Sequence, residues 1–185
     1  MSTILLDVDG VLADTHGAGA RLLETIAPGA FDPRAWDFGT SKLTQEERDA
    51  FWAGFGAPGF CAGLEPYPGA IDFVEHIPHR VVFVTSPFNT SPTWMHERQE
   101  WLLHHFKNVL RGDCKNIVHA NEKSHVFGHV LIDDKPSNVA KWQERWCNSV
   151  GLLYSQPYND DTQDGAFRYV NNYAQARAWI DRGTP

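Results

Sequence analysis

Short apolar runs of strand length alternate along the chain with longer stretches that resemble helices. The strand candidates are Thr3–Leu6, Arg80–Thr85, Asn116–His119, Val130–Asp133 and Ser149–Tyr154. A loop signal follows each run, and helices are predicted at Gly17–Ile26, Gly69–Glu75, Pro92–His105, Ser137–Arg145 and Tyr173–Asp181. This alternation predicts an α/β fold in which helices flank a parallel sheet.

The third predicted helix has a two-sided pattern. Its apolar residues recur at roughly helical spacing and are Trp94, Trp101, Leu102 and Phe106. The charged residues of the opposite face are Glu97, Arg98 and Glu100. This pattern is typical of an amphipathic helix.

The alternation is interrupted between Ala27 and Pro66, where no strand is predicted. Aromatic residues mixed with Gly and Pro are concentrated in this stretch: Phe31, Trp36, Phe38, Phe51, Trp52, Phe55 and Phe60. We interpret it as part of a small, mainly helical subdomain inserted after the first strand, residues 16–66, called the insert below. Residues 1–15 and 67–185 would then form the core. Most of these aromatic side chains are expected to pack among themselves.

The composition suits one core domain with an inserted subdomain, because 42% of the 185 residues are hydrophobic. The net charge of -7 opposes a nucleic-acid polymer or an anionic membrane surface as the main partner.

The three cysteines, Cys61, Cys114 and Cys147, are odd in number and lack C-x-x-C spacing, so we expect reduced thiols. Without a signal-peptide pattern or a run of about 18 apolar residues, we expect a cytoplasmic protein. Whether it forms a homodimer is left open.

The first predicted strand leads into two aspartates one residue apart, Asp7 and Asp9, in the stretch ILLDVDGVLAD. Burying an unpaired carboxylate is costly, and two like charges side by side cost more unless a cation or a proton holds them there. The pair of aspartates therefore requires a partner.

Other polar residues follow the later predicted strands. Thr85 and Ser86 end the second strand, and Lys123 lies in the loop after the third. Asp133 and Asp134 end the fourth. Because the carboxyl ends of parallel strands line one crevice, these groups should share a site with the first two aspartates. Several carboxylates in one crevice suit Mg²⁺, which prefers hard oxygen ligands and keeps waters that a phosphate can replace.

The residue types indicate how such a site would act on a phosphoryl group. Asp7, beside Mg²⁺, is a candidate nucleophile for in-line attack. Asp9 is a candidate acid that protonates the leaving oxygen and later activates water. The groups expected to hold the phosphoryl oxygens are Thr85, Ser86 and Lys123, with the lysine and the metal neutralising charge in the transition state. The expected metal ligands are Asp7 and Asp9, completed by Asp133 or Asp134.

In this order, DVDGV, VTS, the later lysine and LIDD resemble motifs one to four of the haloacid dehalogenase (HAD) superfamily of phosphatases. Within it, the chain looks closest to the 5'(3')-deoxyribonucleotidases, the cytosolic and mitochondrial type C nucleotidases. The matching stretches are DVDGVLAD, LEPYPGAIDFV, VTSP, WMHERQEWL and EKSHVFGHVLIDDKPSN, together with the aromatic insert. The resemblance extends from Ile4 to about Gln143.

The resemblance implies a Mg²⁺-dependent phosphatase that forms an aspartyl-phosphate on Asp7, with Asp9 as acid and base. It implies that the backbone carbonyl of Asp9 and one carboxylate of the Asp133 and Asp134 pair complete the metal site. Members of the family hydrolyse nucleoside monophosphates and prefer deoxyribonucleotides. The resemblance also implies a Rossmann-like core formed by residues 1–15 and 67–185, with the insert as the cap that covers the base.

Three residues are candidates for contact with that base. In the family pattern the position of Thr15 is usually an aromatic residue that helps to enclose the base. Trp36 and Phe60 are our candidates for ring contacts, because stacking on an aromatic side chain is worth about 1–3 kcal/mol per base. Such stacking would favour nucleotides without selecting one base.

Two other functions stay open. One is a phosphatase for another small phosphomonoester, such as a sugar phosphate, although the aromatic insert favours a nucleotide. The other is a non-catalytic HAD-like nucleotide-binding module, although such a module has no physical reason to keep several mutually repelling carboxylates. A P-loop ATPase is excluded because no G-x-x-x-x-G-K-[ST] precedes IDD.

Lys115 and Lys135 lie near Lys123 in the sequence and are the alternatives to it as the lysine of the site.

Overall fold

The computed structural model of the chain describes residues 1–162 and 167–182, and within them six strands form one sheet. The strands are β1 (Thr3–Leu6), β2 (Arg80–Thr85), β3 (Ile117–His119), β4 (Val130–Asp133), β5 (Val150–Tyr154) and β6 (Arg168–Val170). Their order across the sheet is β3-β2-β1-β4-β5-β6, and every neighbouring pair is parallel. The predicted α/β fold with a parallel sheet is confirmed.

β1 lies in the middle of the sheet, paired with β2 on one side and β4 on the other. The chain adds β2 and β3 on one side of β1 and then crosses to add β4, β5 and β6 on the other. A reversal of strand order of this kind leaves a crevice at the carboxyl ends of the central strands, where ligands bind in open parallel sheets. The residues directly after β1 and β4 therefore meet at this crevice.

Helices cover both faces of the sheet. They are α1 (Thr15–Ile26), α2 (Gln45–Phe55), α3 (Ala70–Glu75), α4 (Trp94–His105), α5 (Lys107–Leu110), α6 (Pro136–Arg145) and α7 (Tyr173–Asp181). On one face, Leu5, Val84 and Leu131 pack against Trp142 of α6. On the other face, the buried cluster includes residues of α3, α4 and α7. The five predicted helices are present with ends within two residues of the prediction.

The segment between β1 and β2 contributes helices rather than strands to the described chain. α1 begins where the Asp14 side chain accepts a hydrogen bond from the Gly17 N–H at 2.8 Å. α2 begins with a capping box formed by Thr44 and Glu47. The hydrophobic cluster of this segment consists of Leu23, Ala27, Phe38, Phe51, Phe55, Cys61 and Trp94. Because Trp94 belongs to α4, this cluster also attaches the segment to the rest of the fold.

The chain enters and leaves this helical segment at neighbouring positions. The Asp14 N–H donates to the Glu65 carbonyl at 2.8 Å, and the Tyr67 N–H donates to the Leu12 carbonyl at 2.8 Å. These backbone bonds join the two connections, so the residues between them project from one side of the crevice.

Glu97 and Arg98 of α4 do not form a separate face opposite its apolar residues. Both are buried, with exposed fractions of only 7% and 0%. The Glu97 carboxylate accepts hydrogen bonds from the N–H groups of Gly59 and Ala62 at 2.8 and 3.1 Å. Arg98 donates to Asp9. Both charges are therefore buried because each has a polar partner from a distant part of the chain.

The cysteines are free thiols, as predicted: Cys61 is buried, Cys114 half-buried and Cys147 exposed. Burial raises the pKa of the Cys61 thiol to about 12, so this residue is a packing side chain and not a nucleophile. No helix within residues 1–162 and 167–182 is long and apolar enough to cross a membrane.

Candidate active site

Three aspartates from the ends of β1 and β4 meet at the crevice. Asp7 follows β1, Asp133 ends β4 and Asp134 comes next. The two strands pair with Leu6 opposite Ile132, and the Asp7 N–H donates to the Ile132 carbonyl at 2.9 Å. One carboxylate oxygen from each aspartate lies within 4.8 Å of the others, and all three residues are buried. Parallel pairing of two buried strands therefore concentrates negative charge at one point.

Lys123 supplies a positive charge inside this cluster. It begins a short 3₁₀ helix and is only 1% exposed. Its Nζ lies 2.6 Å from Asp7 Oδ1 and 2.7 Å from Asp133 Oδ2. Burial alone would lower the pKa of Lys123, but the two carboxylates outweigh burial and raise it. Lys115, an alternative considered from the sequence, is exposed at the surface.

The cluster carries more negative charge than Lys123 balances. Burial raises the pKa of Asp7 to about 7; Lys123 opposes this shift, while Asp133 and Asp9 add to it. Burial, followed by the charges of Asp7 and Asp133, also raises the pKa of Asp134. A divalent cation among these oxygens would offset both desolvation and repulsion. The donor set, made of carboxylate oxygens, therefore fits a hard cation such as Mg²⁺.

The two aspartates at the end of β4 have different surroundings. The donors to Asp133 are Lys123 Nζ at 2.7 Å, the Lys135 N–H at 2.8 Å and the Asn138 side-chain amide at 3.2 Å. Asp134 lines the adjoining cavity, and its Oδ2 accepts a hydrogen bond from Tyr158 Oη at 2.5 Å. Its Oδ1 accepts no hydrogen bond from any residue that the structure describes. Asp134 is therefore better placed than Asp133 to bind a cation directly.

Asp9 lines the same cavity, with its side chain 27% exposed. Its Oδ1 accepts hydrogen bonds from Thr15 Oγ1 at 2.5 Å and from the guanidinium of Arg98. Its Oδ2 lies 3.5 Å from Thr85 Oγ1. The carboxylate is thus anchored through one oxygen while the residue remains accessible from the cavity.

The two predicted hydroxyl groups after β2 differ in their access to the cavity. Thr85 is 0% exposed, and its hydroxyl adjoins Asp9. Ser86 lines the cavity, and its Oγ donates to the Ala120 carbonyl at 3.1 Å. Of the three groups expected to hold a phosphoryl group, Ser86 and Lys123 are therefore the ones that reach the cavity.

A cavity of about 510 Å³ connects this cluster to the helical segment between β1 and β2. Its floor includes the charged or hydroxylic residues Asp7, Asp9, Ser86, Lys123 and Asp134. Its walls include the ring-bearing residues His16, Trp36, Phe38, Trp52, Phe55, Phe88, Trp94 and Tyr158. A volume of this size is typical of small-molecule sites. A polar floor below aromatic walls suits a ligand that joins an anionic group to a flat ring.

The three candidates for base contact occupy different positions. Thr15 and Trp36 line the cavity, and Trp36 is 48% exposed at its edge. Lys135 Nζ lies 5.2 Å from the centroid of the Trp36 ring, which places this cation at the edge as well. Phe60 is not among the described residues that line the cavity, and its ring packs against Phe55 with 4.5 Å between centroids. Its position does not support direct contact with a base.

Comparison with known proteins assigns the chain to a family. The family described as "5' nucleotidase, deoxy (Pyrimidine), cytosolic type C protein" matches residues 1–183. The chain belongs to this family. The human cytosolic type 5'(3')-deoxyribonucleotidase is 30% identical over 167 residues, which cover 84% of this chain and 81% of the relative. A Bordetella pertussis protein provisionally named a 5'(3')-deoxyribonucleotidase is 30% identical over 168 residues, 87% of each chain.

A solved structure shows the fold at lower sequence identity. A HAD family hydrolase from Deinococcus radiodurans with bound phosphate and sodium has a TM-score of 0.62 and 16% identity, covering 98% of this chain and 96% of that one. The resemblance to the deoxyribonucleotidases is therefore confirmed, and the fold is that of a HAD family hydrolase. The chain is a phosphoric monoester hydrolase, a 5'-nucleotidase.

Arg98 is a residue of this nucleotidase site that the sequence did not reveal. Its partner Asp9 is 89 residues away in the chain, so no local motif joins them. One signal was present: Trp94, Arg98 and Trp101 recur at the spacing of a single helix face. A charged residue within an aromatic face could have been recognised as buried.

Two further residues near the nucleotidase aspartates belong to no recognised motif. Tyr158, in a 3₁₀ helix at Pro157–Thr162, donates to Asp134. The His16 ring stacks on Phe38 with 4.6 Å between centroids. Burial lowers the pKa of His16 to about 4, so the ring is neutral at pH 7. Only the tertiary structure brings these two side chains to the cavity.

Proposed function

We propose that this nucleotidase is a Mg²⁺-dependent 5'(3')-deoxyribonucleotidase that hydrolyses nucleoside monophosphates to nucleoside and phosphate. The main support is a single observation: three buried aspartates and Lys123 cluster at an aromatic cavity of about 510 Å³, whose floor includes Asp7, Asp134 and Lys123. The names of the human and Bordetella relatives support the substrate class. The aromatic walls favour a nucleotide over a sugar phosphate, because stacking adds about 1–3 kcal/mol per base.

Asp7 is the proposed nucleophile. Lys123 Nζ and the Val8 N–H both contact its Oδ1, at 2.6 and 2.7 Å, which leaves Oδ2 for attack on phosphorus. The bond from phosphorus to the leaving oxygen breaks as the bond to Asp7 forms, giving an aspartyl-phosphate. Water then attacks this phosphorus, the bond to Asp7 breaks, and the carboxylate and inorganic phosphate separate.

Asp9 is the proposed general acid and base. In the first step its carboxyl proton passes to the leaving oxygen, so that the nucleoside departs as an alcohol. In the second step its carboxylate takes a proton from the attacking water and returns to the acid form. Its place beside Asp7 on the cavity floor supports both transfers.

Lys123 and Ser86 are the proposed contacts of the phosphoryl oxygens, since both reach the cavity. The positive charge of Lys123 would stabilise negative charge that spreads over those oxygens in the transition state. Thr85 is retained as a proposed phosphate contact, although its hydroxyl is buried beside Asp9.

The proposed protein ligands of Mg²⁺ are Asp7, Asp134 and the backbone carbonyl of Asp9. Asp133 would instead orient Lys123, because its oxygens already accept several hydrogen bonds. When bound, the ion would supply electrostatic stabilisation of the phosphoryl oxygens. Tyr158 would orient Asp134 through the hydrogen bond of 2.5 Å, as partners of metal ligands commonly do.

The insert, residues 16–66, is the proposed cap over the base, and residues 1–15 and 67–185 form the proposed core. Two backbone bonds at the ends of the insert support this division, including that from Asp14 to Glu65. The insert also supplies much of the aromatic wall: Trp36, Phe38, Trp52 and Phe55, with His16. Trp36, at the cavity edge, is the preferred candidate for a ring contact with the base.

The proposed cellular role is deoxyribonucleotide catabolism in the cytoplasm. The human relative is named as a cytosolic type, while other relatives are named mitochondrial. The net charge of -7 supports a small nucleotide, and not a nucleic-acid polymer, as the partner.

Phosphate release in the presence of Mg²⁺ tests the proposal. The panel contains 5' and 3' deoxyribonucleotides, the corresponding ribonucleotides and several sugar phosphates. We expect preference for one or a few deoxyribonucleotides, and loss of activity both in EDTA and in a folded Asp7→Asn variant. Turnover mainly of sugar phosphates would refute the substrate class, and near-normal turnover by Asp7→Asn would refute the nucleophile. Nucleotide binding without any turnover would point to a binding module instead.

A further inference from the structure

Arg98 of α4 is a buried cation with no part in the steps above. Its side chain is 0% exposed, and its guanidinium carbon lies 5.7 Å from the Trp94 ring centroid and 5.2 Å from the Trp101 ring centroid. Such contacts with two indoles hold a guanidinium in place. Its Nε and Nη1 have no hydrogen-bond partner within residues 1–162 and 167–182. Among the residues that the structure describes, Asp9 is the one acceptor of a hydrogen bond from Arg98.

Asp9 is the hydrogen-bond acceptor that burial of Arg98 requires. A buried guanidinium is costly unless an acceptor pairs with it. Oδ1 of Asp9 can accept this hydrogen bond in both the carboxylate and the acid form, because the acid carries its proton on the other oxygen. The adjacent carboxylate of Glu97 is engaged elsewhere, since it accepts hydrogen bonds from the N–H groups of Gly59 and Ala62. Rotation of Asp9 away from α4 is therefore opposed by the cost of leaving Arg98 unpaired.

We propose that Arg98 is a positioning residue that fixes the Asp9 carboxylate for proton transfer; this inference rests on the acid and base role proposed for Asp9. Oδ1 of Asp9 accepts hydrogen bonds from both Arg98 and Thr15. Oδ2 has Thr85 Oγ1 at 3.5 Å, the outer limit of a hydrogen bond. Oδ2 is therefore the oxygen that delivers the proton to the leaving group and later takes one from water. Arg98 forms and breaks no bond in either step.

This role has a kinetic consequence that depends on the leaving group. A sugar alkoxide needs a proton to depart, whereas 4-nitrophenolate departs without one. The second step, attack of water on phosphorylated Asp7, needs the base with either substrate. Misplacing Asp9 should therefore slow both steps with a nucleotide, but only the second step with 4-nitrophenyl phosphate.

Rapid-mixing kinetics of the full chain with Mg²⁺ test this role on a deoxyribonucleoside 5'-monophosphate and on 4-nitrophenyl phosphate. For Arg98→Met we expect kcat for the nucleotide to fall by about 10–100-fold, a part of the roughly 10²–10⁴-fold effect of a general acid or base. KM should stay within about threefold, as for loss of an interaction made in the transition state. With 4-nitrophenyl phosphate, we expect a burst of about one equivalent of nitrophenolate, followed by slow turnover.

Three variants make the outcome decisive. Asp9→Asn should show the same burst, and Arg98→Lys should recover part of the nucleotide rate because it keeps the buried charge. Glu97→Gln is the matched control on the same helix, expected to affect both substrates equally. If Arg98→Met does not fold, the same comparison is made with Arg98→Lys, whose nucleotide rate should then be selectively reduced.

The possible results separate this inference from the function on which it rests. The role of Arg98 alone would be overturned by either of two results, given a burst in Asp9→Asn. One is equal slowing of both substrates in the Arg98 variants, and the other is no slowing of either substrate. Absence of the burst in Asp9→Asn would overturn the role of Asp9 and with it that of Arg98. A wild-type protein without phosphatase activity would refute the proposed function first.

Discussion

Lys123 contacts two buried carboxylates at once, with Nζ 2.6 Å from Asp7 and 2.7 Å from Asp133. Removing one partner of a buried ion pair leaves an uncompensated charge, at a cost of about 3–5 kcal/mol. An exposed pair contributes only about 0–1 kcal/mol. At the scale of single residues, Lys123 should therefore stabilise the fold in addition to its proposed contact with phosphate.

We predict that Lys123→Met lowers the free energy of unfolding by about 3 kcal/mol, the lower end of the range for buried pairs. The lower end is expected because Asp7, whose pKa burial raises to about 7, can take up a proton when the lysine is absent. Lys141→Met is the matched control, since it removes an exposed pair with Glu122 at 3.0 Å and should cost about 0–1 kcal/mol. Urea unfolding at neutral pH measures both variants, and equal losses would contradict a structural role for Lys123.

At the scale of elements, α1 connects the core of the helical segment to the cavity. An ideal Cβ at Gly19 would lie 2.4 Å from Phe38 Cε1 and 2.8 Å from Phe38 Cδ1. Phe38 cannot easily yield, because its ring is packed against those of Phe51 and Phe55. A glycine in α1 thus sets the position of a ring that lines the cavity.

We predict that Gly19→Ala destabilises the protein by about 1–3 kcal/mol, as overpacking of a core does, although alanine favours a helix by up to about 1 kcal/mol. KM for a nucleotide should rise, since Phe38 must shift. Gly54→Ala in α2 is the control: its Cβ would meet the flexible end of Leu22 at 3.1 Å, and the change should stay within about 1 kcal/mol. Thermal unfolding measures both. A Gly19→Ala variant as stable as wild type would contradict the predicted steric conflict.

The elements predicted best from the sequence are those whose pattern is local. The predicted first and last residues of β1, β2 and β4 are those of the structure. Each strand is a continuous apolar run of the kind buried on both faces of a parallel sheet. Neither β6, with three residues, nor α5, with four, was predicted. α5 is too short for a helical period to appear, and β6 (Arg168–Val170) lacks the two adjacent aliphatic residues that marked the equally short β3. Length, as well as hydrophobicity, therefore limits what the pattern can show.

The residues of the candidate site also differ in whether the local sequence could predict them. The aspartates were predictable because they immediately follow strands, and the strand register alone brings Asp7 to Asp134. The pairing of Arg98 with Asp9 was not predictable, because the spacing of Arg98 between two tryptophans can indicate burial but cannot identify a partner 89 residues away. The position of Phe60 behind Phe55 likewise depends on packing within the helical segment. Contacts across long sequence separations account for what the sequence did not show.

At the scale of the whole molecule, the acidic cluster makes stability depend on pH. Burial raises the pKa of Asp7 from 3.8 to about 7, and that of Asp134 is also raised. Between about pH 4 and pH 7, the native state therefore keeps protons that the unfolded state releases, and the free energy of unfolding falls as pH rises. Histidines oppose this trend: burial lowers the pKa of His16 to about 4 and also lowers that of His119.

Comparison with Asp7→Asn isolates the carboxylate from the histidines, because both proteins contain the same histidines. In EDTA we predict that Asp7→Asn becomes progressively more stable than wild type as pH rises from about 5 to about 7.5, since the asparagine cannot ionise. Saturating Mg²⁺ should reverse the order of stability at neutral pH, because an ion that binds the native state stabilises it and the variant lacks a proposed ligand of that ion. Thermal unfolding of both proteins across this pH range, with EDTA or Mg²⁺, makes the measurement. The contrary result is that the stabilities of the two proteins in EDTA change with pH in parallel. Asp7 would then be ionised alike in the native and unfolded states, and the aspartate cluster would need no cation to offset its burial and repulsion.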